Sequence, residues 1–207
     1  MGLLQLLIRD PLTFALLAIP LLYSIILHEL AHGWVAYRMG DPTARLQGRL
    51  TLNPLSHLDP VGTILLFLVG FGWARPVPVN LANIGASGRR FVLVSSAGIV
   101  ANMLLAFVSI LLFQLISPAP GGTAATILYY MAQINIMLAA FNLIPIPPLD
   151  GSKMLMGFLP ERAQNAFSRL EPYGLFIIVG LLYVGALDPL IAFFRWLILA
   201  VIRLLLP

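Results

Sequence analysis

Two histidines and a glutamate form an H-E-x-x-H sequence in the first quarter of the chain. His28 and His32 are four residues apart, so on a helix of about 3.6 residues per turn both imidazoles leave the same face and can share one metal ion. Zinc suits neutral imidazole, and a catalytic zinc takes three protein ligands and keeps one position for water. Glu29, next to His28, is placed to act on that water as a general base. The pattern therefore favours one zinc ion per chain that activates water.

The setting of these residues favours a metal site over ordinary core packing. A single histidine on an apolar face is usually a packed, hydrogen-bonded core residue. Here, however, residues 11–27 carry no charged side chain, which is typical of a transmembrane helix. Ionisable groups within such a helix are costly and usually functional. We therefore interpret the three residues as a metal-binding and catalytic motif inside the membrane.

The composition indicates an integral membrane protein. Of the 207 residues, 60% are hydrophobic and only 10% are charged, which is too apolar for a soluble globular protein. The net charge of +4 comes from basic residues in short loops between apolar runs, which is the positive-inside pattern and not a nucleic-acid-binding surface. Cysteine is absent, which excludes thiolate metal sites and cysteine nucleophiles. The lipid bilayer is an expected partner, and nucleic acid is not.

The apolar runs predict an all-α membrane protein, a polytopic helical bundle of about five to six spans with irregular segments around a buried zinc site. We expect a single domain over residues 1–207, with core spans at about 11–39, 91–116 and 123–144 and a C-terminal hairpin at about 173–206. The apolar run 61–71 is too short to cross the hydrocarbon core. It predicts a re-entrant or interfacial segment.

A second motif follows the third span. Pro145, Pro147 and Pro148 cannot continue a helix, and broken backbone at membrane depth is tolerated only where protein or a water-filled cavity covers it. Asp150 comes directly after these prolines. The stretch therefore indicates a buried site.

The charge distribution places both motifs on one side of the membrane. Nine of the twelve Lys and Arg residues fall in the connections after the first and third spans, so both connections are expected to be cytoplasmic. Asp150 then reaches the same depth as His28 and His32 and is the preferred third metal ligand. His57, with Asp59, is the rival source, although a histidine in a basic loop is often solvated or supports a ligand from outside the metal shell.

Three further residues are candidates for contacts to substrate or to the metal ligands. Trp73 and Arg75 lie in a stretch of alternating Pro and Val that predicts an edge strand or loop. They are equally consistent with an anchor at the membrane interface. Asn102 lies among small residues of the second span, where it can hydrogen-bond across helices.

The two main motifs together resemble the site-2 protease family of intramembrane zinc metalloproteases. The resemblance rests on the H-E-x-x-H sequence and on Asn142-x-x-Pro-x-Pro-Pro-Leu-Asp150-Gly in a later span, and it covers nearly the whole chain. It implies that zinc is held by His28, His32 and Asp150 and that Glu29 is the catalytic carboxylate. Asn142 would hold the substrate strand or stabilise the oxyanion.

The remaining candidates fit a compact prokaryotic branch of that family without a PDZ-like domain. His57, Asp59, Trp73 and Arg75 occur in segments that resemble this branch. The second span departs from the family sequence A-G-P-x-x-N, because Ile99 stands where the family has proline.

The resemblance implies a multi-pass protein of the cell membrane that hydrolyses peptide bonds within or near transmembrane segments of its substrates. Its active site would lie near the cytoplasmic face. The alternative is a polytopic metal-ion or proton transporter, in which broken helices and intramembrane ligands also occur. That alternative predicts paired inverted repeats, which the sequence does not contain, and it gives no role to a glutamate beside a ligand.

Overall fold

A computed structural model describes residues 3–70, 72–84 and 88–207 of the chain. The α-helices in these ranges are α1 (Leu3–Arg9), α2 (Pro11–Arg38), α3 (Thr43–Leu46), α4 (Pro60–Val69), α5 (Leu81–Ile84), α6 (Gly88–Ile116), α7 (Thr123–Asn142), α8 (Asp150–Met156), α9 (Glu161–Leu170), α10 (Gly174–Tyr183) and α11 (Asp188–Leu205). Short 3-10 helices cover Pro54–Ser56 and Glu171–Tyr173. The same ranges contain no β-strand, so the prediction of an all-α membrane protein is confirmed.

Four helical stretches within the described ranges are long and apolar enough to cross a membrane: Pro11–Arg38, Gly88–Ile116, Thr123–Asn142 and Arg162–Tyr183. The expected count was about five to six, and the difference lies in two helices. α4 has 10 residues and is about 15 Å long, half of the hydrocarbon thickness. α11 has 18 residues but carries three charged side chains, Asp188, Arg195 and Arg203. Phe71, the last residue of the short run predicted at 61–71, lies outside the described residues.

Local sequence sets the bounds of the spanning helices. The Asp10 side chain accepts a hydrogen bond from the Thr13 N–H at 3.0 Å, and Pro11 occupies the first position of α2, where no N–H is needed. α7 ends at Asn142, two residues before the predicted bound. The reason is that a residue preceding proline, here Ile144, is disfavoured in helical backbone.

The loop between α7 and α8 is covered by apolar side chains of the C-terminal helices. Ile144 and Leu149 form a buried cluster with Ile178 of α10 and with Leu187. This cluster provides the protein cover that non-helical backbone requires at membrane depth. The peptide bond between Pro147 and Pro148 in this loop is cis.

α6 is the central helix of the bundle, because it packs against α2, α7 and α8. A buried apolar cluster joins its residues Ile99 and Ala106 to Ile136 of α7 and Ile198 of α11. The H-E-x-x-H sequence on α2 and Asp150 at the start of α8 are therefore both carried by elements that contact the same helix.

Candidate metal centre

Three side chains from two distant parts of the chain meet at one point. His28 Nε2 and His32 Nε2 lie 3.1 Å apart, and each lies 3.0 Å from Asp150 Oδ2. All three residues are buried. A tetrahedral zinc ion with ligand bonds of about 2.0–2.1 Å has neighbouring ligand atoms about 3.3 Å apart. The three atoms thus have nearly the spacing of one face of a zinc coordination sphere.

The outer nitrogens of both imidazoles face hydrogen-bond acceptors. His28 Nδ1 lies 2.5 Å from Asn102 Oδ1, and His32 Nδ1 lies 2.7 Å from the Val94 carbonyl oxygen. Each Nδ1 therefore carries the proton, and each Nε2 presents a lone pair. Two lone pairs and a carboxylate oxygen are then in mutual contact with no proton between them. Such a group fits a bound cation, and its N and O ligands suit zinc.

Gly98 of α6 lets the two histidine rings approach the central helix. A Cβ atom at this position would contact His32 Nε2 and both Nε2 and Cε1 of His28. The atoms it would meet are the ones that face the metal position. Glycine is therefore required here by close approach.

Replacing Gly98 with alanine is expected to weaken zinc binding by about tenfold or more. Overpacking a well-packed position costs about 1–3 kcal/mol, and each 1.4 kcal/mol is about a factor of ten in affinity. Chelator competition measures this affinity. Gly180→Ala on α10 is the control, since a Cβ there meets no atom within 4 Å. An unchanged affinity in Gly98→Ala would contradict the steric role.

Glu29 lies beside the ligand group, in a cavity of about 360 Å³ that His32 and Asp150 also line. Its Oε2 accepts a hydrogen bond from the Val77 N–H at 2.8 Å. This bond holds the carboxylate at the cavity wall. Phe167 and Ser168 of α9 also line the cavity. Its volume lies within the usual range for ligand-binding cavities, about 300–1,000 Å³.

Val77 belongs to an extended stretch, the edge segment (residues 72–80), which is anchored at both ends. At its start the Arg75 N–H donates to the His57 carbonyl oxygen at 2.8 Å, and Arg49 Nη2 donates to the Arg75 carbonyl oxygen at 2.8 Å. An isolated antiparallel bridge joins Leu58 to Ala74. The edge segment is thus positioned by backbone contacts with residues 57–58 and by the Arg49 side chain.

Asp41 anchors the other end of the edge segment. Its Oδ2 accepts from the Asn80 N–H at 2.6 Å, and its Oδ1 accepts from Asn83 Nδ2 at 2.8 Å. Burial alone would raise the pKa of the Asp41 carboxyl, but hydrogen bonds from Asn83, Thr43 and Asn80 outweigh it and lower the pKa. The carboxylate form of Asp41 therefore stabilises this end.

The rival ligands predicted in the 49–60 loop have structural partners away from the metal group. His57 is 1% exposed, and its Nε2 donates to the Thr51 carbonyl oxygen at 2.8 Å. Asp59 caps α4, since its Oδ1 accepts from the Gly62 N–H at 2.8 Å. Neither residue belongs to the metal-competent cluster found in the described part of the chain.

The remaining candidates take three different positions. Asn102 is hydrogen-bonded to His28, one of the three residues of the ligand group. Trp73 packs against Gly62, and the Arg75 side chain is exposed. Asn142 donates from Nδ2 to the Leu138 carbonyl oxygen of its own helix at 3.0 Å, and it is not among the residues that line the cavity.

Sequence reasoning missed several residues around the centre. Ser24 and Asn135 are fully buried polar residues linked to Asn102. Asn135 could have been identified from the sequence, because a polar amide inside an apolar span is expected to have a hydrogen-bond partner. Val77 and Val94 act through backbone groups and carry no signal in their side chains.

Comparison with known proteins gives a consistent picture. A model described as "Peptidase family M50" matches residues 115–185, which contain α7, the proline-rich loop and Asp150. The protein named "Putative zinc metalloprotease YwhC" of Bacillus subtilis is 43% identical over 187 residues, covering 87% of this chain and 84% of the relative. No solved structure gives a significant match.

More distant relatives carry similar names. The protein named "Putative zinc metalloprotease Rip2" of Mycolicibacterium smegmatis is 30% identical over 172 residues, covering 81% of this chain and 66% of the relative. "Zinc metalloprotease MJ0392" of Methanocaldococcus jannaschii is 25% identical over 154 residues, covering 74% of this chain and 37% of the relative. These names favour hydrolysis over the transporter alternative.

The identity to YwhC over most of both chains, the match across the proline-rich loop and a ligand group suited to one metal ion agree with one another. The resemblance inferred from the motifs is confirmed. The chain belongs to peptidase family M50, the site-2 protease family, and is a zinc metalloprotease of the membrane.

Proposed function

We propose that the protein cleaves peptide bonds within or near transmembrane segments of membrane-protein substrates, as in regulated intramembrane proteolysis. The main support is the position of the cavity. His32 and Glu29 on the spanning helix α2 line it together with Asp150, which follows the broken end of α7. A site between spanning helices is accessible to a peptide that is itself in the membrane.

In this proposal His28 Nε2, His32 Nε2 and Asp150 Oδ2 hold one zinc ion. Bound zinc supplies Lewis-acid chemistry, since it acidifies a water molecule and polarises the scissile carbonyl group. Asn102 and the Val94 carbonyl oxygen keep the two rings oriented through their Nδ1 atoms. The chain thus supplies three ligands and leaves the cavity side open for substrate.

Glu29 acts as general base and then as general acid. Its carboxylate takes a proton from the attacking water and delivers it to the leaving amine, so that peptide and water become a carboxylate and an amine. The Val77 N–H holds the carboxylate in place during this exchange. Asn142 would stabilise the oxyanion or hold the substrate, and to do so it has to exchange its bond to the Leu138 carbonyl oxygen for a contact with the peptide.

The edge segment is the proposed receptor for an unwound substrate. Pro76 and Pro78 have no N–H, so the donors near the cavity come from Val77 and Val79. Val77 donates to Glu29, and the Val79 N–H has no partner among the described residues. An extended peptide in the cavity can pair with this free donor and with neighbouring carbonyl groups, as in strand addition.

Two proline substitutions separate these roles. Val77→Pro removes the donor that holds Glu29, and hydrogen bonds to charged groups contribute about 1.5–3 kcal/mol, so kcat should fall by about tenfold or more. Val79→Pro removes the free donor and should raise KM while kcat changes little. Steady-state kinetics on a transmembrane substrate distinguishes them. Unchanged kinetics in both variants would exclude the edge segment from catalysis and binding.

The substrate helix has to open before cleavage. Its carbonyl groups are bonded to amides within the helix, and leaving such groups unpaired in lipid costs several kcal/mol each. Gly or Asn in the substrate lowers the cost of opening. The basic connections after α2 and α7 favour a position of the metal group near the cytoplasmic face, by the positive-inside rule. We therefore expect helix-breaking residues in the cytoplasmic half of the substrate's span.

A matched set of substrates tests the proposal. One single-span protein carries two Gly or Asn residues in the cytoplasmic half, a second carries them in the opposite half, and a third has Leu throughout. In bilayers the first should be cleaved about tenfold or more faster than the third, because two replacements at about 1 kcal/mol each exceed 1.4 kcal/mol. Equal rates for all three would contradict helix opening as the limiting step. Faster cleavage of the second substrate would contradict the proposed depth.

A further inference from the structure

A line of buried polar side chains runs from the metal group across three spanning helices. Asn102 of α6, Asn135 of α7 and Ser24 of α2 are each 0% exposed. None of them touches the cavity, and the proposed chemistry gives no role to Asn135 or Ser24. Buried polar groups at membrane depth are costly unless they are fully paired, so their arrangement needs a physical explanation.

The hydrogen bonds in this line have one consistent direction. Asn135 Nδ2 lies 2.8 Å from the Met131 carbonyl oxygen, which can only accept, so this end of the Asn135 amide must be the NH₂ group. The same NH₂ group donates to Ser24 Oγ at 2.8 Å. Asn135 Oδ1 therefore points the other way and accepts from Asn102 Nδ2 at 2.7 Å.

The direction continues to the metal ligand. Because Asn102 Nδ2 is turned towards Asn135, and is also 3.4 Å from the Ser24 carbonyl oxygen, Asn102 Oδ1 faces His28 Nδ1 at 2.5 Å. This oxygen accepts only from a protonated Nδ1. A reversed Asn102 amide would place its oxygen against Asn135 Oδ1, where two acceptors would meet without a proton.

We infer that Asn135 is a positioning residue for the metal centre and that it acts through Asn102. Asn135, held by Ser24 and the Met131 carbonyl oxygen, selects the Asn102 amide orientation that keeps the proton of His28 on Nδ1. His28 Nε2 then presents its lone pair to the zinc. This inference rests on the proposed role of His28 as a ligand.

An interhelical contact without a positioning role would behave differently. Hydrogen bonds between polar side chains of membrane helices contribute modestly to stability, and removing such a contact lowers stability and leaves the ligand atoms as they were. Removing a group that orients a ligand lowers metal affinity, by about 10- to 100-fold for outer partners of metal-bound histidines. Zinc affinity, compared with the unfolding temperature of the same variant, therefore separates the two roles.

The first test compares two amide replacements on α7. Asn135→Leu removes the orienting amide, and Gln133→Leu removes an amide two residues away whose Oε1 faces Arg195 Nη2 at 3.5 Å. Zinc affinity is measured by chelator competition on the purified full-length chain in detergent, together with the unfolding temperature of each variant. We expect about 10- to 100-fold weaker zinc binding in Asn135→Leu and the parent affinity in Gln133→Leu. An Asn135→Leu protein that binds zinc like the parent would overturn the inference, whatever its unfolding temperature.

The second test combines Asn135→Leu with Asn102→Leu. If Asn135 acts through Asn102, the two substitutions are not independent, and the double variant should bind zinc about as weakly as Asn102→Leu alone. Zinc affinities of the two single variants and of the double variant are measured by the same chelator competition. Losses of affinity that add, as for two independent sites, would overturn the inference.

Two serine substitutions test the inference if the Asn135→Leu protein does not fold. Ser24→Ala removes one of the two groups that hold the Asn135 amide. Ser109→Ala removes a buried hydroxyl that bonds only to Leu105 in its own helix. Ser24→Ala should weaken zinc binding and Ser109→Ala should not, and equal affinities would overturn the inference. Failure of the proposed ligand set has a different signature, namely His28→Ala protein that still binds zinc with the parent affinity.

Discussion

Glu29→Gln protein is expected to bind one zinc per chain and to lose proteolysis by a factor of about 10²–10⁴, the usual size of a general-base effect. The amide is nearly isosteric with the carboxylate, and its oxygen can still accept from the Val77 N–H, which lies 2.8 Å from Glu29 Oε2. The side chain should therefore keep its position at the cavity wall. What it loses is the capacity to take a proton from water. Zinc analysis and cleavage assays on the same preparation measure both properties.

The control for this variant is Glu171→Gln. Glu171 is a further carboxylate at the wall of the same cavity and is not a member of the ligand group found among the described residues. This variant should retain most of the activity. If Glu29→Gln keeps the parent rate, another group is the base and the assignment of Glu29 is wrong.

Asp150→Ala is expected to abolish activity by removing the metal. Asp150 Oδ2 lies 3.0 Å from both histidine Nε2 atoms and is the only negative charge in that cluster of described residues. Replacing an outer partner of a ligand already costs about 10- to 100-fold in affinity, so loss of a ligand should cost more than a hundredfold. Zinc per chain after dialysis against a chelator is the measurement, with helix content by circular dichroism as the check on folding.

Two further variants define the ligand set. Asp150→Asn keeps an oxygen at the same place but removes the charge, so its zinc affinity should lie between those of the parent and Asp150→Ala. His57→Ala should bind zinc like the parent, because His57 bonds to the Thr51 carbonyl oxygen and not to the metal group. Zinc loss in His57→Ala together with zinc retention in Asp150→Ala would show that the proposed ligands are wrong.

Local sequence was sufficient for most of the helical architecture. Hydrophobicity and prolines placed the spans at 11–39, 91–116 and 123–144, and the helices run over Pro11–Arg38, Gly88–Ile116 and Thr123–Asn142. These bounds depend on neighbours in sequence: apolar side chains favour helix in lipid, and Asp10 and Pro145 act on adjacent backbone. Four helical stretches meet the length and hydropathy of a span, against about five to six predicted. Hydropathy alone does not decide whether short or charged helices such as α4 and α11 cross the membrane.

The sequence by itself also predicted the central chemistry. His28 and His32 share a helix face because their spacing matches the helical repeat. Glu29, the residue after His28, lies in the same turn, which suggested its role as the base. Asp150 was preferred over His57 because the charge asymmetry between loops put it at the same end of the spans as His28 and His32, and because a histidine in a basic polar loop can stay solvated. These are properties of local geometry and of the bilayer, and they require no knowledge of how the helices pack.

Only the tertiary structure decided what surrounds that chemistry. Three contacts join residues that are far apart in the chain. The Val77 N–H bonds to Glu29, and Gly98 packs against the two histidine rings. Hydrogen bonds also run from His28 through Asn102 to Asn135. Such contacts depend on the relative positions of α2, α6 and α7 and on backbone groups that every residue possesses. A backbone N–H at residue 77 or an absent Cβ at residue 98 has the same chemistry anywhere in a sequence. It acquires a role only when packing brings a proposed metal ligand or the proposed catalytic carboxylate against it.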